Sequence, residues 1–312
     1  MSTTFPPASP SLSGGDAQIL SASRFLQSPN FVARRVRELA DERLIGDVLL
    51  KGRADAAGGA IGYEQFEGLF ADAEPEDVAP GSEYTLTTVQ DGPAGLARVV
   101  KQGKDTIVTD ESVSRRNMDP VEKGLRKLVN SAAVAVDSSV VSMVASAVTA
   151  SRDAESVWTG SSALILRDIL RAKASVTGLN MGYDPDVLML DDETWAYLAS
   201  DPVISAAMAR EDKSNPVYTG RFDVLAGLEV IPTPAANLPG GSGTSAWVLD
   251  TSQLGFIAPE DLGGGYQQAT ELIQTKVIRK DENDGWRLRV RTNFVPVVTD
   301  PGAGFRIGSV RS

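Results

Sequence analysis

The chain has 312 residues, 42% of them hydrophobic and 23% charged, which suffices for one large or two modest domains with a real core. It contains no cysteine and no histidine, which excludes disulfides, thiolate chemistry, Ser-His-Asp or Cys-His catalysis and the common zinc sites. With a formal net charge of −11, the chain as a whole repels a polyanion rather than coating itself with one.

Residues 1–30 are rich in Ser, Pro, Gly and Thr, with Phe5 and Phe25 among a few scattered apolar residues. They read as a flexible arm that a neighbouring subunit would hold down, without the basic leader and apolar block of a signal peptide. Phe31 to Leu50 predicts an amphipathic helix with Val32, Val36, Leu39 and Leu44 on one side. Arg34, Arg35 and Arg37 fill the other, as a solvated face or a docking surface for an acidic neighbour or nucleic acid. Residues 52–60 form a glycine-rich hinge around Gly58 and Gly59.

Two extended segments follow, Ile61 to Phe70 with Tyr63, Phe66 and Phe70 among acids, and Ala97 to Thr109 with Val99, Val100, Ile107 and Val108. A short strand from about Tyr84 to Val89 lies between them. The pattern predicts a long β-hairpin arm with little core of its own, marginal in water unless it lies on another subunit.

Asp119 to Ala150 is the dominant element. Asp119 is a candidate cap, Pro120 suits the first helical position, and Glu122 lies three residues after the cap. Val121, Leu125, Leu128, Ala132, Val136, Val140, Val144 and Ala147 recur at steps of three and four on one face. Such a helix spans roughly 45 Å and reads either as a buried core helix or as the spine of an elongated, flat subunit. Serines and charges interrupt it, so no apolar run is expected to reach membrane-spanning length.

Next comes a helix to Val176, capped by Ser161 or Ser162, with Leu164, Ile165, Ile169 and Leu170 inward and Gly178 as its stop. Pro185 to Leu190 is a short buried strand, and Asp191 or Asp192 caps a helix through Ser200. Arg221 to Ile231 is a strand or hairpin, Pro232 to Gly243 a loop, and Ala246 to Asp250 and Leu254 to Ile257 are strands. This alternation reads as a separate α/β lobe. From Trp286 the chain alternates strictly, with Leu288, Val290, Thr292 and Phe294 on one face and Arg287, Arg289 and Arg291 on the other. The turn Asp281 to Gly285 pairs this strand with Leu272 to Arg279, and Phe305 to Val310 forms a last strand.

No motif rises to a catalytic or cofactor site. In Asp281 to Gly285 the glycine falls fifth and Thr292 twelfth, where a calcium loop wants glycine sixth and glutamate twelfth, so the stretch reads as a turn. Asp191 and Asp192 read as caps, and the glycine runs at 240–243 and 263–265 fit no phosphate loop or dinucleotide fingerprint. The row Arg287, Arg289, Arg291 reads as a solvated or intersubunit face bridged to acids, with a polyanion as the rarer use.

The order of these parts, with the strings DVAPGSEYTL (77–86), VVKQGKDTIVTDESV (99–113), MDPVEKGLRKLVN (118–130) and RLRVRTNFVPVV (287–298), resembles the major capsid proteins of tailed bacteriophages, especially those of actinobacteria. The resemblance implies an α+β, Hong Kong 97-type fold. Its parts would be an N-terminal arm (1–30), a helix and hinge (31–54), an extended loop (55–110), a spine helix of the peripheral domain (111–158), an axial domain (159–265), peripheral-domain strands (266–300) and a tail (301–312). It implies pentamers and hexamers of this one chain in an icosahedral shell around double-stranded DNA, assembled in the host cytoplasm and carried in the virion. No cofactor, metal, catalytic residue or membrane is implied. Partners beyond itself would be a portal and separate scaffolding or decoration proteins, and DNA contact would be weak and non-specific. Phe5, Phe25, Tyr63, Phe66, Phe70, Tyr84, Arg34, Arg35, Arg287, Arg289 and Arg291 are the candidate intersubunit contacts, and Gly58 and Gly59 the candidate hinge. Lys101 and Lys104 lie near the loop's base rather than its tip, so no lysine–asparagine cross-link between subunits is expected. An encapsulin-type nanocompartment shell is the alternative within the fold, and a hydrolase using Ser and acids in the lobe a remote one.

Overall fold

A computed structural model of the chain describes residues 24–41, 44–65, 77–84, 92–160, 163–207, 224–234, 237–238 and 244–311. Phe5, Phe66, Phe70, the Ser161 or Ser162 cap, the loop 240–243 and most of the short strand near 84–89 fall outside the described residues. The chain divides into two compact units. One comprises Met1–Leu44, Lys101–Ala135 and Asp261–Asn293; the other comprises Ile45–Val100, Val136–Glu260 and Phe294–Ser312. The division runs through both long elements rather than between the segments drawn from the sequence.

The first unit is built on a sheet. Strand Gly285–Val298 pairs over its first half with Ile273–Lys280, in a register that sets Gly285 opposite Lys280. The expected turn is a 3-10 turn over Asp281–Asn283, closed by Asp284 at φ 39°. Val100–Thr109 pairs with the long strand too. Thr109 Oγ1 accepts from Ser112 N at 3.3 Å and caps the helix Asp110–Arg116. Helix Pro29–Asp41 packs on strand Ile273–Lys280 and buries Val32, Ala33, Val36 and Ala40. The single helix expected over 31–50 is thus two, this one and a four-residue turn at Gly46–Leu49. Leu39 and Leu44 are only half-buried.

The dominant helix is continuous over Asp119–Ala147. Its expected stripe is buried at Val121, Leu125, Leu128, Val136, Val140 and Val144. Ala132 and Ala147 are half-buried, while Val129, Ala133, Val141 and Val148 join the core, so the stripe is broader than a single row. In the first unit Gly124 lets the helix approach the sheet, because a Cβ there would lie 3.0 Å from Thr106 Cγ2. The sequence expectation about membranes needs correcting: by length and hydropathy this helix does meet the requirement for crossing one. Apart from Val134, its valines are instead buried inside the protein, as in a core helix.

The second unit holds the α/β lobe. Six strands lie in the order Ser151–Asp153, Gly304–Gly308, Ala246–Leu249, Val187–Asp191, Leu228–Thr233, Val224–Leu225. Val187–Asp191 is buried at every position, as a central strand covered on both faces should be. Asp191 Oδ1 accepts from Thr194 N at 3.2 Å and caps the helix Asp192–Ser200. Of the segment expected to be a strand or hairpin, the described part is a hairpin of Val224–Leu225 and Leu228–Thr233 whose turn is Ala226-Gly227, both at positive φ. Helix Ile165–Thr177 packs on the lobe with Ile165, Ile169, Ala172 and Val176 inward. Leu170, expected inward, is 47% exposed, because one residue past Ile169 lies about 100° around the helix.

The other half of the long strand, Phe294–Val298, pairs with Gly255–Pro259, and Gly52–Arg53 joins that strand in parallel. The glycine-rich stretch is therefore partly a strand. Ala54 N and Ala56 N continue its bonds to Ile257 O and Pro259 O.

Candidate functional site

Among the described residues no three His, Cys, Asp or Glu side chains come together in a way that could hold a metal ion. What the structure offers is surfaces.

The first surface is a two-stranded hairpin in the second unit. Ala60–Glu64 pairs antiparallel with Ala94–Arg98, and no third described strand joins them. The long strand expected from Ala97 to Thr109 is broken at Val99, because the chain there leaves this hairpin for the sheet of the long strand. The hairpin base rests on a small cluster, with Ile61, Tyr63, Ala97 and Val99 against Ala56, Ala258, Val295 and Val297. The Tyr63 ring lies across Gly95, where a Cβ would come within 2.6 Å of Cζ. Outside the cluster the hairpin is bare: Leu96 is 67% exposed, and Tyr84 between its strands is 83% exposed. Gly58 and Gly59 form the turn before it at φ 68° and 82°, and Gly59 N donates to Glu260 Oε1 at 2.8 Å. That turn is hydrogen-bonded in place.

The second surface is a cleft of about 540 Å³ in the first unit, lined by Lys101, Lys104, Asp105, Tyr266, Arg289 and Arg291 among others. The arginine row predicted from the alternation enters here and divides. Arg289 grips Asp105 through Nε and Nη2, both at 2.7 Å, and its Nη1 donates to Tyr266 Oη at 3.2 Å. Arg287 Nε stands 3.0 Å from the same carboxylate. The hydrogen bond from Arg289 is the main cause that holds Asp105 below the usual carboxylate range, aided by both guanidinium charges against the opposing effect of burial. Arg291 is buried: Nε donates to Gln274 Oε1 at 2.8 Å, and its guanidinium stacks 3.4 Å from the Tyr266 ring centroid. The alternation ends near Val290, beyond which both faces of the strand are buried.

A slot of about 270 Å³ adjoins this cleft and shares Gln102, Gly103, Lys104 and Arg291 with it. Leu128, Ala132, Val134 and Ala135 of the dominant helix form its apolar wall, and Val134 is 56% exposed. A third surface, on the lobe, is an apolar groove of about 450 Å³ along helix Ile165–Thr177, lined by Leu166, Leu170, Val203, Arg167 and Arg171 among others.

The remaining candidates are placed individually. Arg34 is exposed and stands 3.6 Å from Glu38. Arg35 is half-buried and bridges Glu38 at 3.0 Å and Glu122 at 3.6 Å. Phe25 is half-buried. Sequence reasoning missed Asp105, Tyr266 and the exposed Val134. The alternation exposed the arginines but not their acceptors, which lie 184 and 23 residues away from Arg289 along the chain.

Over residues 94–307 the sequence matches the phage capsid protein family. No curated protein sequence matches it. Solved structures share its fold at low identity. The capsid of the cyanophage P-SCSP1u is 12% identical, with 86% of this chain and 89% of that one covered and a TM-score of 0.62. The structure titled Microbacterium phage Oxtober96 is 12% identical over 85% and 90%, with a TM-score of 0.55. A virus-like particle from Pyrococcus furiosus is 13% identical over 95% and 100%, with a TM-score of 0.56.

Proposed function

This chain belongs to the phage capsid protein family, and on that premise we propose that it is the major subunit of an icosahedral head, assembling as pentamers and hexamers around double-stranded DNA. Members of such a family are structural components of the virion, and we assign the chain no catalytic activity. The fold is that of phage capsids. The observation that carries the assembly reading is the bare hairpin Ala60–Glu64/Ala94–Arg98. A two-stranded ribbon is marginal alone, and one with exposed Leu96 and Tyr84 gains by lying on another copy. The net charge of −11 suits a lining that confines DNA without binding it tightly.

Gly58 and Gly59 serve as the hinge that adapts the hairpin to non-equivalent positions. Their positive φ values cannot be taken up by proline, so alanine is the informative replacement. Assembly takes place in the host cytoplasm, with a portal and separate scaffolding or decoration proteins as partners. Lys101 and Lys104 lie in strand Val100–Thr109, and no covalent cross-link between subunits is formed through them.

A second reading, a nanocompartment shell around a protein cargo, is favoured by the likeness to the Pyrococcus particle. Electron microscopy of the purified chain tests both. Closed shells with five- and six-fold rings support the first reading when they package DNA, and the second when they capture a protein. A compact monomer at every concentration overturns both.

A further inference from the structure

We infer that the exposed basic strip at the start of the dominant helix, centred on Lys123, Arg126 and Lys127 and extended by Arg115 and Arg116, contacts the phosphate backbone of packaged double-stranded DNA. The inference rests on the shell reading and locates the nucleic-acid contact within it. From Arg115 to Lys127 every exposed side chain is charged, and the only acids among them are Asp119 and Glu122. Both acids are already neutralised. Asp119 Oδ2 accepts from Lys123 Nζ at 2.6 Å, and Glu122 stands 3.6 Å from Arg35. Arg115, Arg116, Arg126 and Lys127 are exposed and make no ion pair among the described residues. From Lys123 to Val136 the sequence has no Asp or Glu. Steps of three and four set Lys123, Arg126 and Lys127 on one face, opposite the buried Val121, Leu125 and Leu128. Lys104 shares the slot with Leu128 and Ser131, and so lies beside the turn that carries Lys127.

In a chain with a net charge of −11, such a run of open cations is a local reversal of sign. The distant acids do not cancel it, because charges more than about 10 Å away are screened at about 0.1 M salt. The strip holds counterions that a phosphate backbone would release on binding, which is the main source of sequence-independent affinity for DNA. Between Arg115 and Lys127 no apolar side chain is exposed. A protein partner binds chiefly through a desolvated apolar or aromatic anchor, and this face gives it no seat. A duplex offers a repeating charge about every 1.7 Å of its axis and needs none.

The test titrates a random-sequence duplex of about 20 base pairs into the full chain, kept unassembled, across a range of salt. With Arg115, Arg116, Arg126 and Lys127 open, the logarithm of the binding constant should fall against the logarithm of salt with a slope of about −3 to −4. R126Q/K127Q, and separately R115Q/R116Q, should stay folded by circular dichroism, since glutamine suits an exposed helix position. Each should weaken duplex binding about tenfold and make the slope shallower by about two. R167Q/R171Q on the lobe removes the same charge from a pair bridged to Glu155 and should leave binding unchanged. Shells of R126Q/K127Q should form as in wild type and carry less nucleic acid, read from their ultraviolet absorbance ratio. Four outcomes overturn the inference: equal weakening by the lobe variant, no weakening by either strip variant, tighter binding of an oligo-glutamate peptide than of the duplex at equal charge, or loss of shells without loss of duplex binding. If the wild-type chain forms no shells at all, the shell reading fails, and the duplex titration still decides the strip.

Discussion

Asp137 sits in the middle of a valine-rich helix and is 4% exposed. Its Oδ1 accepts from Ile45 N at 3.0 Å and Gly46 N at 2.7 Å, which caps the turn Gly46–Leu49. Burial outweighs those two donors, and Asp47 adds repulsion, so its pKa is raised to about 6. The sign follows from linkage. The folded state holds this proton more tightly than the unfolded state does, so its stabilisation is full below about pH 4 and is lost as pH rises through 6. The loss amounts to about 3 kcal/mol. Asp137→Asn keeps the acceptor without the charge, so its unfolding midpoint should vary less between pH 4 and 6 than wild type and should match or exceed it at pH 7. Asp105 and Asp110 act in the opposite direction and at lower pH. Hydrogen bonds from Arg289 and Arg279 hold them below the usual range, so their stabilisation is present above about pH 4 and fades as pH falls. Gly255 is another residue whose role the sequence hides. A Cβ there would lie 2.1 Å from Val297 O, inside the pairing with Phe294–Val298. Gly255→Ala should cost about 1–3 kcal/mol or more, read as a lowered denaturation midpoint.

Elements whose signals are local were legible. The dominant helix, the hairpin from Ile273 to Val298 and the Asp191 cap each follow from spacing or turn chemistry within a few residues. Their energetics are open to direct tests. Asp191→Ala removes the cap and the 3.2 Å contact to Arg311, and should cost about 1–2 kcal/mol in chemical unfolding. Ala226 adopts φ 55°, which a Cβ disfavours and asparagine tolerates better. Ala226→Asn should therefore raise the unfolding free energy by about 0.5–1 kcal/mol, read in chemical denaturation. The break at Val99 was not legible. Val99 and Val100 read as one continuous branched run, and only the competition of two sheets for the chain splits it. Likewise Ser151–Asp153 is three exposed polar residues with no strand pattern, and it is a strand because Gly308 and its neighbours pair with it.

For the molecule as a subunit, the decisive question is whether folding and assembly separate. Replacing residues 66–91 with a short Gly-Ser linker leaves Gln65 N and Pro93 O free to close the hairpin as they do now. The product should fold with an unchanged circular dichroism spectrum yet sediment as a monomer; shells from this variant would show that the loop is dispensable.

The sequence by itself determined that this is an acidic, cysteine- and histidine-free α+β chain, whose longest element is a helix with a stripe of small and branched residues. Those properties are sums over residues or repeats of a local period, so no partner is needed to read them. The tertiary structure alone decided which sheet each strand joins, that Arg291 is consumed by Gln274 and Tyr266, and that Lys101, Lys104 and Val134 border one cleft and its neighbouring slot. Each of those depends on residues far apart in the chain, and neither periodicity nor propensity carries information about such pairings.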